Sequence, residues 1–207
     1  MKYRLLTVAL CMVIFSGCVR SLHPFGTEED IIYDPNLIGC WQEEGEEETW
    51  CFEKGKIEKS YILYMRGDGE TIGPFGVHLL KIKGEMFIDM LPCGPEFDMD
   101  NPYEFQTLPV HVFAHVKQIE PALQMRFPDP DWFKRLIEDN PKALKHEIVN
   151  GEPLVTASTK QMQEFWLKHL ETKDAFSKTS NKRKLEKTKP DNIEAKSESN
   201  KKGMKKT

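Results

Sequence analysis

Between residues 37 and 127 the chain is a succession of short apolar runs cut by glycine, proline and acidic turn signals. Runs of this length, bounded this way, suit the pleated strands of an antiparallel sheet better than helices. The pattern predicts strands over 38–44, 47–54, 59–65, 72–83, 85–91, 109–118 and 122–127. Their turns fall at Gly45-Glu46, Gly67-Asp68-Gly69, Gly84-Glu85 and Glu120-Pro121. Residues 92–108, rich in Pro, Gly, Asp and Asn, form the one long connection, a lid or a wide loop. The expected class is mainly β with added helices, an antiparallel meander.

The first hairpin can be read to the residue. Gly45-Glu46 suits a two-residue type II′ turn, which sets Trp41 opposite Trp50 and Cys40 opposite Cys51. Trp41, Trp50 and Phe52 then share one face, with Cys40, Gln42, Thr49 and Cys51 on the other. That turn makes Cys40 and Cys51 a hydrogen-bonded pair, the less favourable site for a cross-strand bridge. Both a disulfide and two free thiols stay open.

Downstream, Asp129 can cap a helix with Pro130 at its first position and Trp132, Phe133, Leu136 and Ile137 as its apolar stripe. A short strand near 154–157 leads to Ser158-Thr159-Lys160-Gln161, a capping-box pattern. Met162, Phe165, Trp166, His169 and Leu170 follow at helical spacing. This second stripe is a core face, set on the sheet or across a barrel mouth, with a partner-binding face as the alternative. Charge divides the chain. Residues 18–176 carry 16 Lys/Arg against 29 Asp/Glu, a net of −13, whereas 177–207 carry 11 against 4, a net of +7. The tail has almost no apolar residues, so it is expected to be disordered. Its lysines are a solvated tail or a contact for anionic lipid headgroups. No aromatic residues interleave with them, which argues against nucleic acid.

At the N-terminus, Lys2 and Arg4 precede an apolar stretch, Leu5–Phe15, too short at eleven residues to span a bilayer. Ser16-Gly17-Cys18 then places two small residues before a thiol. The segment resembles the signal peptide and lipobox of bacterial lipoproteins, with Phe15 where Leu is favoured. The resemblance implies a signal at 1–17, removed before Cys18, and fatty chains on Cys18 that hold the mature chain to membrane lipid. Val19 after that cysteine points to the outer membrane in a Gram-negative host. Residues 18–36, with Pro24, Gly26, Pro35 and four acids, read as a lipidated tether, 37–176 as the β-rich domain and 177–207 as the tail.

Gly39-Cys40-Trp41 on the first strand resembles the Gly-x-Trp signature of lipocalins, in which the tryptophan closes a barrel floor and the glycine permits close approach of strands. A lipocalin-like barrel is the implied architecture, an open meander or sandwich the alternative. Ser21-Leu22-His23-Pro24, Leu37-Ile38-Gly39-Cys40-Trp41, Asp129-Pro130-Asp131-Trp132 and Thr156-Ala157-Ser158-Thr159 also resemble a group of uncharacterised bacterial lipoproteins, a likeness that carries no activity with it.

Trp41, Trp50, Phe52, His78 and His111 are candidate ligand-lining or core residues. His111 and His115 share a strand face roughly 13 Å apart at about 3.3 Å per residue, too far to hold one metal. Cys93 would need a neighbouring base to act as a nucleophile. Asp89, Asp98, Asp100, Asp129 and Asp131 show no acid–base spacing, and no catalytic or phosphate-binding motif is present. The expectation is a non-enzymatic envelope lipoprotein without metal or cofactor, which binds a small apolar ligand or an envelope protein. An assembly factor working through its surface and basic tail is the alternative, and a hydrolase a second one.

Overall fold

The computed structural model describes residues 18–67, 70–93, 108–176 and 182–188. Seven strands follow in meander order: β3 (Gly39–Glu43), β4 (Thr49–Lys54), β5 (Ser60–Gly67), β6 (Glu70–Ile82), β7 (Glu85–Pro92), β8 (His111–Gln118) and β9 (Ala122–Arg126). Two short strands precede them, β1 (Arg20–Ser21) and β2 (Ile31–Ile32). Helix α1 (Pro130–Asp139), the β10 (His146–Val149) and β11 (Glu152–Val155) hairpin, helix α2 (Thr159–Lys168) and a final strand β12 (Lys182–Thr188) complete the chain.

The meander closes on itself. Strands β3 to β9 pair in sequence, and β12 lies antiparallel between β3 and β9, which makes a closed eight-stranded antiparallel barrel. The expected disorder of 177–207 therefore does not hold for Lys182–Thr188; the rest of that tail lies outside the described residues. A single buried apolar side chain, Leu185, offers no hydrophobic pattern to read. The strand is recruited by the unpaired backbone edges of β3 and β9, which no sequence window of the tail contains. Long cations flank Leu185 on the same face. Lys187 reaches the Trp41 ring (5.0 Å to its centroid) and donates to the Asn36 carbonyl, while Arg183 pairs with Glu43 at 3.1 Å.

Two cores lie on either side of the barrel wall. The interior is filled by Trp41, Trp50, Phe52, Tyr61, Leu63, Met65 and their neighbours, nearly all fully buried. Outside, the β6–β7–β8 wall presents Leu80, Ile82, Phe87 and Phe113, and both helices cover it through Phe133, Ile137, Met162 and Trp166. The helices thus sit on the wall rather than across a mouth. Their caps follow the sequence: Asp129 accepts from the Trp132 amide at 2.8 Å, and Ser158 and Gln161 form a capping box.

The 18–36 tether is overturned. Val19, Ser21 and Phe25 are buried, β1 pairs with β8 and β11, β2 pairs with β6, and Phe25 stacks on Phe113 at 4.2 Å. Its acids and prolines masked the few apolar anchors that matter. At β8 the sheet divides, with His111–Val112 bonded to β1 and His115–Gln118 to β9. Two turns differ from expectation. The β6–β7 turn is Lys83-Gly84, both with positive φ as a type I′ turn requires, rather than Gly84-Glu85. The β10–β11 hairpin turns at Asn150-Gly151, a strong hairpin dipeptide that the strand assignment near 154–157 passed over.

If β12 is a structural stave, Leu185→Ala lowers the unfolding free energy by about 2–4 kcal/mol, the usual cost of truncating a buried leucine. Exposed Lys184→Ala changes it by less than about 0.5 kcal/mol. Urea unfolding measures both.

Candidate functional site

The first hairpin has the expected register, with Trp41 opposite Trp50 and Cys40 opposite Cys51. Its turn is different: the Glu46 amide donates to the Glu43 carbonyl, with Gly45 at φ +84°. The longer loop changes the pairing class. Cys40 and Cys51 have Cα atoms 4.0 Å apart, the spacing of a close, non-hydrogen-bonded pair, and they form a disulfide. The alternative of two free thiols is thereby settled.

Trp41, Trp50 and Phe52 all face the barrel interior, where they are packed. Trp41 sits toward one end, its indole N–H donating to the Leu37 carbonyl at 2.9 Å and Lys187 lying over its ring. Gly39, two residues before it, has φ +131°, a backbone conformation that favours glycine. Trp50 donates to Glu48 at 2.7 Å, and Glu48 and Glu43 both face Arg183.

His78 and His111 do not join them. They lie on the outer face of the wall, opposite in direction to Val77, Leu79 and Val112, so the five candidate ligand-lining residues do not form one site. His111 donates from Nδ1 to Asp89 at 2.9 Å, and His78 pairs in register with Asp89. Asp89 is buried, and its other oxygen has no hydrogen-bond partner among the described residues. Among the described residues, no three His, Cys, Asp or Glu side chains group as a metal site. Asp98 and Asp100 lie outside them.

Cys93 is half-buried beside Gly76, and burial raises its thiol pKa, the reverse of what a nucleophile needs. Cys18 is half-buried against the barrel interior. Burial pushes its pKa up to about 11, with Arg183 acting in the opposite sense. The candidate lipidation position is therefore docked on the barrel itself, with no spacer before the folded body.

Sequence reading missed the concave surface. An open groove of about 820 Å³ runs between the end of α1, the 140–145 loop and α2. Leu136, Leu144 and Phe165 line it, and Lys142, Lys145 and Lys168 stand around it, none of them ion-paired among the described residues. Glu164 is the only carboxylate in its lining, so the groove is basic in a body whose net charge is acidic. His169 also lines it. Burial and then Lys168 lower its pKa, so that near neutral pH it is uncharged. Phe165 and His169 belong to the apolar stripe read from the sequence. The lysines come from a loop and one helix and converge only on folding.

The Cys40–Cys51 bridge closes a loop of sequence separation 11, worth about 3 kcal/mol by loop entropy. The double variant Cys40→Ser/Cys51→Ser should lose about that much stability in urea. Excess reductant should lower the parent protein to the same level and leave the variant unchanged. The chain matches no protein-family model, and no similarity to a curated protein or a solved structure reaches significance.

Proposed function

We propose that this chain is a lipid-anchored, non-enzymatic lipoprotein of the bacterial envelope that holds an acidic segment of an envelope protein in its helix-side groove. The observation that carries the recognition half is the filled barrel. With Trp41, Trp50, Phe52, Tyr61 and Met65 packed inside, recognition falls to the outer surface. There the basic groove with an apolar floor is the concave feature, and its unpaired lysines complement a carboxylate-bearing partner.

Anchoring rests on Lys2, Arg4, the Leu5–Phe15 stretch and Ser16-Gly17-Cys18. Residues 1–17 lie outside the described part, and no helix within it is long and apolar enough to cross a membrane. With Cys18 at the barrel rim, the fatty chains would hold the domain close to the bilayer, on the outer membrane in a Gram-negative host. The barrel reads as lipocalin-like in the placing of Gly39 and Trp41, with the ligand cavity replaced by side chains.

Two outcomes test the reading. In a bacterial host, the mature protein should begin at Cys18 and carry the added mass of its fatty chains. Cys18→Ser should leave an uncut precursor, and a mature start elsewhere without lipid would refute anchoring. A photo-crosslinking side chain at Lys145 should capture an envelope protein in cells, and Lys142→Glu/Lys168→Glu should abolish that capture. Undiminished capture by the charge-reversed protein would refute the groove.

A further inference from the structure

The barrel is sealed at a seam where β8, β9 and β12 meet, and one pair of residues stands in it. His115 on β8 lies in register with Arg126 on β9, and Arg126 in register with Lys182, the first residue of β12. The imidazole is buried, at 4% exposure. Its Nδ1 accepts from Arg126 Nε at 3.3 Å and faces Nη2 at 3.2 Å, while Nε2 lies 2.8 Å from Glu85. A guanidinium can only donate, so Nδ1 must carry the lone pair and Nε2 the proton, which goes to Glu85. The ring is held neutral.

Arg126 is the hub of the seam. It donates to Glu171 at 3.1 Å and lies 5.5 Å from the centre of the Phe176 ring, which also meets the His115 ring edge-on. Glu171 and Phe176 lie on the segment that leaves α2 and leads toward β12. The guanidinium therefore ties the 171–176 segment to the wall, and His115 orients it.

We propose that His115 is an acid-responsive latch on the segment that follows α2: neutral, it anchors Arg126, and protonated, it releases Arg126 and loosens residues 171–176 from the wall. A proton arriving at Nδ1 removes the acceptor for both Arg126 groups and sets a second positive charge against the first. The charged groups that face the ring are Glu85 from β7, Arg126 from β9 and Lys117 from its own strand, with Glu171 across Arg126. Burial, the largest influence, lowers the His115 pKa; Glu85 opposes this, and Arg126 and Lys117 reinforce it.

The direction of the pH dependence follows. The folded pKa lies below the ordinary value near 6.5, so the loosened state binds the extra proton more readily. The stability that the latch contributes is complete above about 6.5. It is lost as pH falls from there through the folded pKa. This latch is independent of the lipid anchor and of the groove.

Amide hydrogen exchange on the mature full chain, corrected for intrinsic rates and run from about pH 7.5 to about pH 5, tests it. Protection of the Thr172 and Ala175 amides, and of the Asp129 amide that donates to the Ala175 carbonyl, should fall once below about 6.5, by at most about tenfold per pH unit and only as far as the folded pKa, as uptake of one proton demands. Amides of 50–52 and 61–65, on the far wall formed by β4 and β5, should hold their protection. His115→Gln keeps an acceptor for Arg126 and cannot titrate, so in it the Asp129, Thr172 and Ala175 amides should stay protected throughout. A flat wild-type profile, a parallel fall on the far wall, or an undiminished fall in His115→Gln would overturn the latch. Nitrogen NMR of the wild-type imidazole gives a check that needs no variant: a proton on Nδ1 rather than Nε2 at neutral pH would overturn it as well.

Discussion

Every feature of this protein depends on the filling of one gap in a ring of backbone hydrogen bonds. Seven meander strands leave β3 and β9 as facing edges, each with a row of unpaired amides and carbonyls. Water can satisfy them only if the barrel stays open and its apolar lining wet. Strand β12 satisfies both edges at once. One leucine on it enters the core, while Arg183 and Lys187 on the same face reach Glu43 and Trp41. The arrangement separates two roles that a core strand usually combines: hydrogen bonding recruits β12, and burial merely holds it.

Closure explains the rest of the organisation. Among the described residues the barrel interior is packed with buried aromatic and aliphatic side chains, and a second core lies on the outer wall. That wall is apolar across β6, β7 and β8, and the N-terminal arm and both helices cover it. Phe25 from the arm, Phe113 from the wall and Trp166 from α2 make one aromatic stack that joins all three layers. The groove lies where the end of α1, the 140–145 loop and α2 meet, and the loop brings two of its lysines. Two largely buried polar pairs interrupt the apolar wall: Asp89 with His111 near β1, and His115 with Arg126 at the seam.

Much of the site was legible, though not what it belongs to. The register of Trp41 with Trp50 follows from the period-two alternation alone, and so it survives a change of turn. The pairing class of Cys40 and Cys51 depends on loop length, and it moved when Gly45 took the later position in the turn. The packing of Cys18 was not legible, because the barrel core it meets and the Arg183 charge that acts on it lie far along the chain. The histidines were assigned correctly to one strand face, yet whether that face is core, solvent or helix-covered is a property of the assembled layers.

Alternation, caps and turn dipeptides determined by themselves that this chain makes an antiparallel meander with two amphipathic helices, and roughly where each begins. They are local codes, written within a few residues. Tertiary structure alone decided that residues 182–188 are a strand, that residues 19–36 are part of the body, and that three lysines surround one groove. In each case the partner lies far along the chain: Leu185 faces Leu123 and Glu43, Phe25 meets Phe113, and Lys142 shares the groove with Lys168. A backbone edge that needs a strand exerts its demand through space, and the segment that answers it needs only to be extended, tethered within reach and not opposed by charge.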